Sequence, residues 1–167
     1  MNNSPLNNRY GFNLIELIVT IAILGIVAAI ATPNIRSFLP SYRLNIATQD
    51  LVSDIQQARS EAIKRSASCE VAFTADGYTA RMFSLDGAGN KVYGGAVLRT
   101  QLNDYPGVSF GAGVVGTTFS FNSRGLSTDI PTNAVINGFA VYRVTLTNGT
   151  ASRRVLLSLS GAMKIEE

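Results

Sequence analysis

Between Leu14 and Ala31 the chain reads LIELIVTIAILGIVAAIA, and Glu16 is the single charged residue in those eighteen positions. A carboxylate among aliphatic side chains is costly in low dielectric unless an opposite charge meets it. Its natural chemistry is therefore that of an ion-pair partner. Four residues upstream lies Phe12, preceded by Gly11, whose missing side chain leaves an unhindered peptide bond. Cleavage between Gly11 and Phe12 would create a protonated amine one helical turn from Glu16. A cation of that kind on one copy would neutralise the carboxylate of another. The competing reading is an ordinary secretory signal, with Arg9 as its basic region and Ala29-Ile30-Ala31 as its cleavage site. Glu16 argues against it, because it interrupts the apolar core that such a signal needs.

The remaining composition removes most enzymatic chemistry. Among 167 residues there is no His, no Trp and one Cys, Cys69. Ser-His-Asp and Cys-His machinery, His-ligated metals, internal disulfides and Cys-cluster sites are all excluded. No carboxylate pair, phosphate loop or nucleophile–base set appears, so the chain is read as a non-enzyme without cofactor. Charged residues make up 15%, against roughly 25% in ordinary soluble domains. Beyond residue 31, 23 of 136 residues are charged, so the deficit sits largely in the apolar block. The excess of 14 basic over 11 acidic residues is small and dispersed.

These residues need elements to position them. As a helix, the apolar block would extend about 27 Å, close to the roughly 30 Å of a bilayer's hydrocarbon core. Arg9 in the short polar leader favours a cytoplasmic N-terminus. Pro33, at the end of the block, is expected to kink or break the helix, and Pro40 follows seven residues later. Next, Leu44, Ala47, Leu51, Ile55, Ala58 and Ala62 recur at spacings of three and four, an apolar stripe along one helix face. Glu61 and Arg65 form a favourable i,i+4 pair on that helix.

From Cys69 the period changes. Two alternating runs flank Asp76-Gly77, a strong hairpin signal. Further strands are expected at 96–102, 108–110, 117–121, 139–146 and 153–160, separated by turn residues such as Asn148-Gly149. The fold class is thus α+β, a long N-terminal helix, half apolar and half amphipathic, packed on an antiparallel sheet.

Gly11-Phe12-Asn13-Leu14-Ile15-Glu16, followed at once by an apolar helix, resembles the type IV prepilin (type III) signal. QARSEAIKR (Gln57 to Arg65), TFSFNSRG and SRRVLLSLSG are similar to the GspH/FimT group of minor pilins and pseudopilins. The resemblance implies a leader over 1–11, a transmembrane and filament-core helix over 12–32, an amphipathic continuation over 33–66 and a sheet domain over 67–167. It also implies cleavage after Gly11 by a prepilin peptidase, N-methylation of Phe12, and a subunit-docking role for Glu16. Asn13 departs from the usual threonine. The implied partners are other pilin or pseudopilin subunits, the peptidase and an inner-membrane assembly platform. The implied location is the inner membrane with the globular domain in the periplasm, then a type IV pilus or type II secretion pseudopilus.

Three features remain to be weighed. Some members of the group bind DNA through a Gly-Arg-x-Arg motif. The aligned stretch here, Gly161-Ala162-Met163-Lys164, lacks both arginines, leaving Arg143, Arg153, Arg154 and Lys164 as the candidate DNA contacts. Four scattered cations promise only weak, salt-sensitive binding. Asp86-Gly-Ala-Gly-Asn90 offers one carboxylate, too few for calcium, and is read as a turn. Cys69 is expected to be a buried structural cysteine.

Overall fold

The computed structural model describes residues 12–131, 133–136 and 139–166, and of residues 31–37 the backbone alone. The chain divides into two compact units, Met1–Phe38 and Leu39–Glu167. Helix α1 (Leu14–Lys64) begins in the first and ends in the second. Asn13 starts it. The Asn13 carbonyl accepts the N–H groups of Glu16 at 3.0 Å and Leu17 at 3.2 Å, and its Oδ1 accepts that of Ile15 at 3.4 Å. Asparagine is among the best residues for this capping position, which is the physical content of the departure from threonine. Pro33 and Pro40 both lie inside α1, so neither ends it. The expected kink at Pro33 falls among the residues whose side chains are outside the described set. At the far end, Ser66 takes a left-handed conformation (φ 49°), and the Ala67 N–H reaches back to the Ala62 carbonyl at 3.1 Å. Arg65 Nε donates to Glu61 Oε2 at 2.8 Å, the anticipated i,i+4 pair.

In the second unit the strands follow in order: β1 (Ser68–Thr74), β2 (Gly77–Leu85), β3 (Lys91–Gln101), β4 (Ser109–Phe110), β5 (Thr118–Phe121), β6 (Ser127–Thr128), β7 (Ala134–Ile136), β8 (Phe139–Thr147), β9 (Ser152–Ser158) and β10 (Met163–Glu166). All pairings are antiparallel. The fold is α+β, as the sequence indicates. The strands divide, however, between two sheets rather than forming one. The first has the order β3-β2-β1-β5-β6. The second has the order β10-β9-β8, and β4 and β7 pair with different parts of β8.

Strand β3 starts at Lys91, five residues before the expected Ala96. The reason is the tightness of the 86–90 turn: Asp86 N–H bonds the Asn90 carbonyl at 3.0 Å, so Leu85 pairs with Lys91 at once. Gly94 and Gly95, which weaken a strand signal, fall where the β2–β3 register shifts, between the pairs Phe83 with Tyr93 and Arg81 with Ala96.

One core joins α1 to both sheets. Leu44, Ala47, Leu51, Ile55, Ala58 and Ala62 are each no more than 2% exposed, so the sequence stripe is the buried face. Phe73 of β1 lies at the centre. Its ring is 5.3 Å from Phe110 and 6.1 Å from Tyr142 of the second sheet, and 6.0 Å from Phe119 of its own. Edge-to-face and tilted contacts of this kind add to the hydrophobic term. Acidic residues beside the helix stripe fix its seat. Asp54 accepts from the hydroxyls of Tyr78 and Thr100, both at 2.7 Å, and Asp50 from that of Tyr105 at 2.5 Å.

Candidate functional site

The first candidate site is the start of α1. Phe12 is 88% exposed and precedes the helix, while Gly11 lies outside the described residues. With Asn13 as cap, Glu16 occupies the third helical position, in the first turn, and is exposed. An acidic side chain there interacts favourably with the unpaired N–H groups and the positive end of the helix dipole. Glu16 therefore has a local role in addition to any role between subunits. Every large apolar side chain from Phe12 to Ile30, twelve in all, is at least 48% exposed. Such a continuous apolar surface is not stable in water and marks a protein or membrane contact. The part of this block with described side chains runs from Leu14 to Ile30, about 26 Å of helix. Among the described residues no helix is long and apolar enough to cross a membrane.

The second candidate is the set of basic residues near the C-terminus, and the structure splits it. Along β8, Tyr142, Val144 and Leu146 point into the core, which puts Val141, Arg143 and Thr145 on the outer face. Arg143 pairs with Leu156 and Leu156 with Lys164, while Thr145 pairs with Arg154 and Arg154 with Glu166. Arg143, Arg154 and Lys164 thus share the outer face of the second sheet. Arg153 does not join them: its Nε donates to Asn45 Oδ1 of α1 at 3.0 Å. Arg154 is already engaged, with Nη1 at 3.8 Å from Glu166. Adjacent strand residues face opposite ways, so the separation of Arg153 from Arg154 was readable from alternation alone.

Other sequence candidates resolve into structural roles. Asp86 Oδ1 accepts the N–H groups of Ala88 at 2.9 Å and Asn90 at 2.8 Å, and Oδ2 takes the Asn90 amide at 3.2 Å. Those bonds, chiefly from Asn90, hold the Asp86 carboxyl below the usual range and use its oxygens within the turn. Cys69 is fully buried within the core, and burial pushes its thiol up to about 11. Among the described residues no cluster of three or more His, Cys, Asp or Glu side chains is arranged to hold a metal ion.

One residue was not singled out by the sequence reading. Arg59 of α1 donates from Nε to the Gly125 carbonyl at 2.8 Å and from Nη2 to the Ser160 carbonyl at 3.2 Å. Gly161 (φ +76°) packs so close that an added Cβ would lie 2.6 Å from the Gly125 oxygen. The three stretches QARSEAIKR, TFSFNSRG and SRRVLLSLSG, far apart in sequence, meet at this point. The signal that would have found it is the pair of glycines that close the last two stretches, Gly125 (φ +73°) and Gly161, both in the left-handed region.

The type II transport protein GspH family model matches residues 47–161, the segment that contains all three stretches. The chain belongs to the GspH family. A second family model, the prokaryotic N-terminal methylation motif, matches residues 6–32. No curated protein and no solved structure matches the chain. The two matched segments leave only residues 33–46 between them, the methylation motif lying in the first and the strands through β9 in the second. GspH-family proteins are pilin-like structural subunits of the minor pilin or pseudopilin kind, and this chain carries the prepilin signal that goes with them.

Proposed function

We propose that this GspH-family chain enters the inner membrane through its N-terminal helix, is cut by a prepilin peptidase between Gly11 and Phe12, and is methylated at Phe12. The apolar part of α1 then leaves the lipid for a bundle of like helices at the core of a type IV pilus or type II secretion pseudopilus. The sheet domain stands on the periplasmic side and faces outward. The observation that carries this reading is the unbroken run of exposed apolar side chains from Phe12 to Ile30 with Glu16 in its first turn. In water that surface is unstable; in lipid or among neighbouring helices it is at home. Glu16 receives the Phe12 amine of an adjacent subunit, and the attraction of the pair in low dielectric offsets the desolvation of each. Pro33 supplies the point at which the helix adjusts on packing.

The test is replacement of Glu16 by Ala in the full-length chain, produced with its assembly system. Cleavage and membrane insertion are expected to be retained, while incorporation into filaments falls severalfold. Normal incorporation of the variant would remove the docking role. The mass of the native N-terminus decides the processing: methylated Phe12 supports it, and a start at Thr32 would mean a secretory signal instead.

A further inference from the structure

The outer face of the second sheet carries two features that the assembly of the helix does not use. Ile136, Phe139, Val141, Leu156, Leu159 and Met163 line a cavity of about 580 Å³ that is mostly apolar. Phe139 is 74% exposed and Leu159 57%. An outer sheet face is ordinarily the polar one, so apolar residues gathered there mark a contact surface. Beside the cavity, Arg143 and Lys164 flank Leu156 in a single cross-strand row over β8, β9 and β10. With neighbouring strands about 4.8 Å apart, their Cα atoms are about 10 Å from each other.

Neither cation has an acidic partner among the described residues, whereas Arg154 in the next row has Glu166. Arg143 Nε is buried and has no acceptor among the described residues. A donor closed to solvent is closed to a docked side chain as well, so a partner carboxylate meets the remainder of the guanidinium, where a charge-assisted bond is strong. Asn133 secures the position of Arg143: its amide donates to the Arg143 carbonyl at 2.9 Å and accepts the Arg143 N–H at 2.7 Å. The guanidinium is thus mounted on a backbone that is held on both sides.

We propose that this face docks an acidic, apolar segment of another protein subunit. An apolar side chain of the partner fills the cavity over Phe139 and Leu159, and a carboxylate one or two residues away is received between Arg143 and Lys164. The charges select an acidic segment over a basic one, and the apolar cavity supplies the area that buries on docking. A nucleic acid would need several phosphate contacts. The row offers two cations without an acidic partner among the described residues, too few to neutralise a run of phosphates. The proposal rests on the subunit reading above only in that it names a surface for such a neighbour.

The experiment uses the full-length chain in nanodiscs and three labelled probes: a decapeptide with a Leu-Phe-Glu-Glu centre, the same peptide with Lys-Lys replacing Glu-Glu, and a twelve-nucleotide single strand. Anisotropy titration is expected to give saturable binding of the acidic peptide, at least tenfold tighter than that of the basic one. Arg143→Gln, Lys164→Gln and Phe139→Ser should each weaken it about fivefold or more, while Arg99→Gln on the first sheet leaves it unchanged. Equal binding of the two peptides, no saturable binding of the acidic one, or indifference to all three face variants would overturn the proposal. So would a single strand that binds more tightly than the peptide and loses affinity with Arg143→Gln. Glu16→Ala leaves peptide binding unchanged, so failure here and failure of the assembly reading are told apart.

Discussion

Arg59 Nε donates to the carbonyl of Gly125 at 2.8 Å, and through that bond α1 holds the turn after β5 while its Nη2 holds the turn after β9. A guanidinium at such a point offers several donors in a fixed plane, so one side chain satisfies carbonyls from two loops. These are the loops whose sequences resemble the GspH group, and all three stretches lie inside the segment that the family model matches.

Removing that contact should be visible as stability. Arg59→Ala abolishes two hydrogen bonds from a charged donor and is expected to lower stability by about 2 kcal/mol. Arg59→Lys, with a point charge in place of the fork, should recover only part of it. Thermal unfolding of the full-length chain followed by circular dichroism checks both.

Two glycines with nearly the same backbone angle should respond differently to alanine. Gly149 (φ +85°) has open space around it, so Gly149→Ala carries only the left-handed strain of about 1 kcal/mol. Gly161 (φ +76°) adds to that strain a Cβ at 2.6 Å from the Gly125 oxygen and 2.9 Å from Arg59 Nε. Gly161→Ala is expected to exceed Gly149→Ala by about 2 kcal/mol or more and to disturb the Arg59 contact. Equal effects in denaturant titrations would show that the loop moves aside freely.

Leu51 is fully buried on the α1 stripe, in the core shared by both sheets. Leu51→Ala should cost about 3 kcal/mol through lost transfer energy and the cavity left behind. Leu51→Met, which nearly conserves volume, should cost less than about 1.5 kcal/mol. The same unfolding measurement distinguishes them.

The Cys69 thiol should be inert in the folded protein. Burial, and secondarily the nearby Glu61 and Glu70 charges, raise it to about 11. At pH 8 a thiol-reactive dye is expected to label Cys69 only at the rate of unfolding, and rapid labelling of the native chain would contradict its burial. The sign of the pH effect follows from the raised value. The folded state holds the thiol proton more tightly than the unfolded state, so this contribution to stability is complete below the unfolded value of about 8.5 and is lost as pH rises toward about 11.

Much of this molecule is set by local pattern. The α1 stripe from Leu44 to Ala62 is a matter of 3.6-residue periodicity, and periodicity survives folding because one face of a helix must be buried somewhere. The hairpin at Asp76-Gly77 is likewise local, since the two residues fix the turn and the turn fixes the pairing of Thr74 with Gly77. Glycine, phenylalanine and glutamate at the head of an apolar helix form a motif that needs no tertiary information. Strands β6, β7 and β10 have two to four residues each and carry too little pattern to stand out. They exist because a longer neighbour offers an unpaired edge.

What only the tertiary structure decided is the grouping of residues that are distant in sequence. Alternation separates Arg153 from Arg154, but it does not say which of them meets α1 and which faces out. That depends on which face of β9 is buried, and burial is a property of the whole core. The division of the strands into two sheets and the meeting of Arg59 with Gly125 and Gly161 are of the same kind. So is the row of Arg143, Leu156 and Lys164. Each depends on strand order and register across tens of residues, which are fixed by the closing of one core rather than by any segment alone.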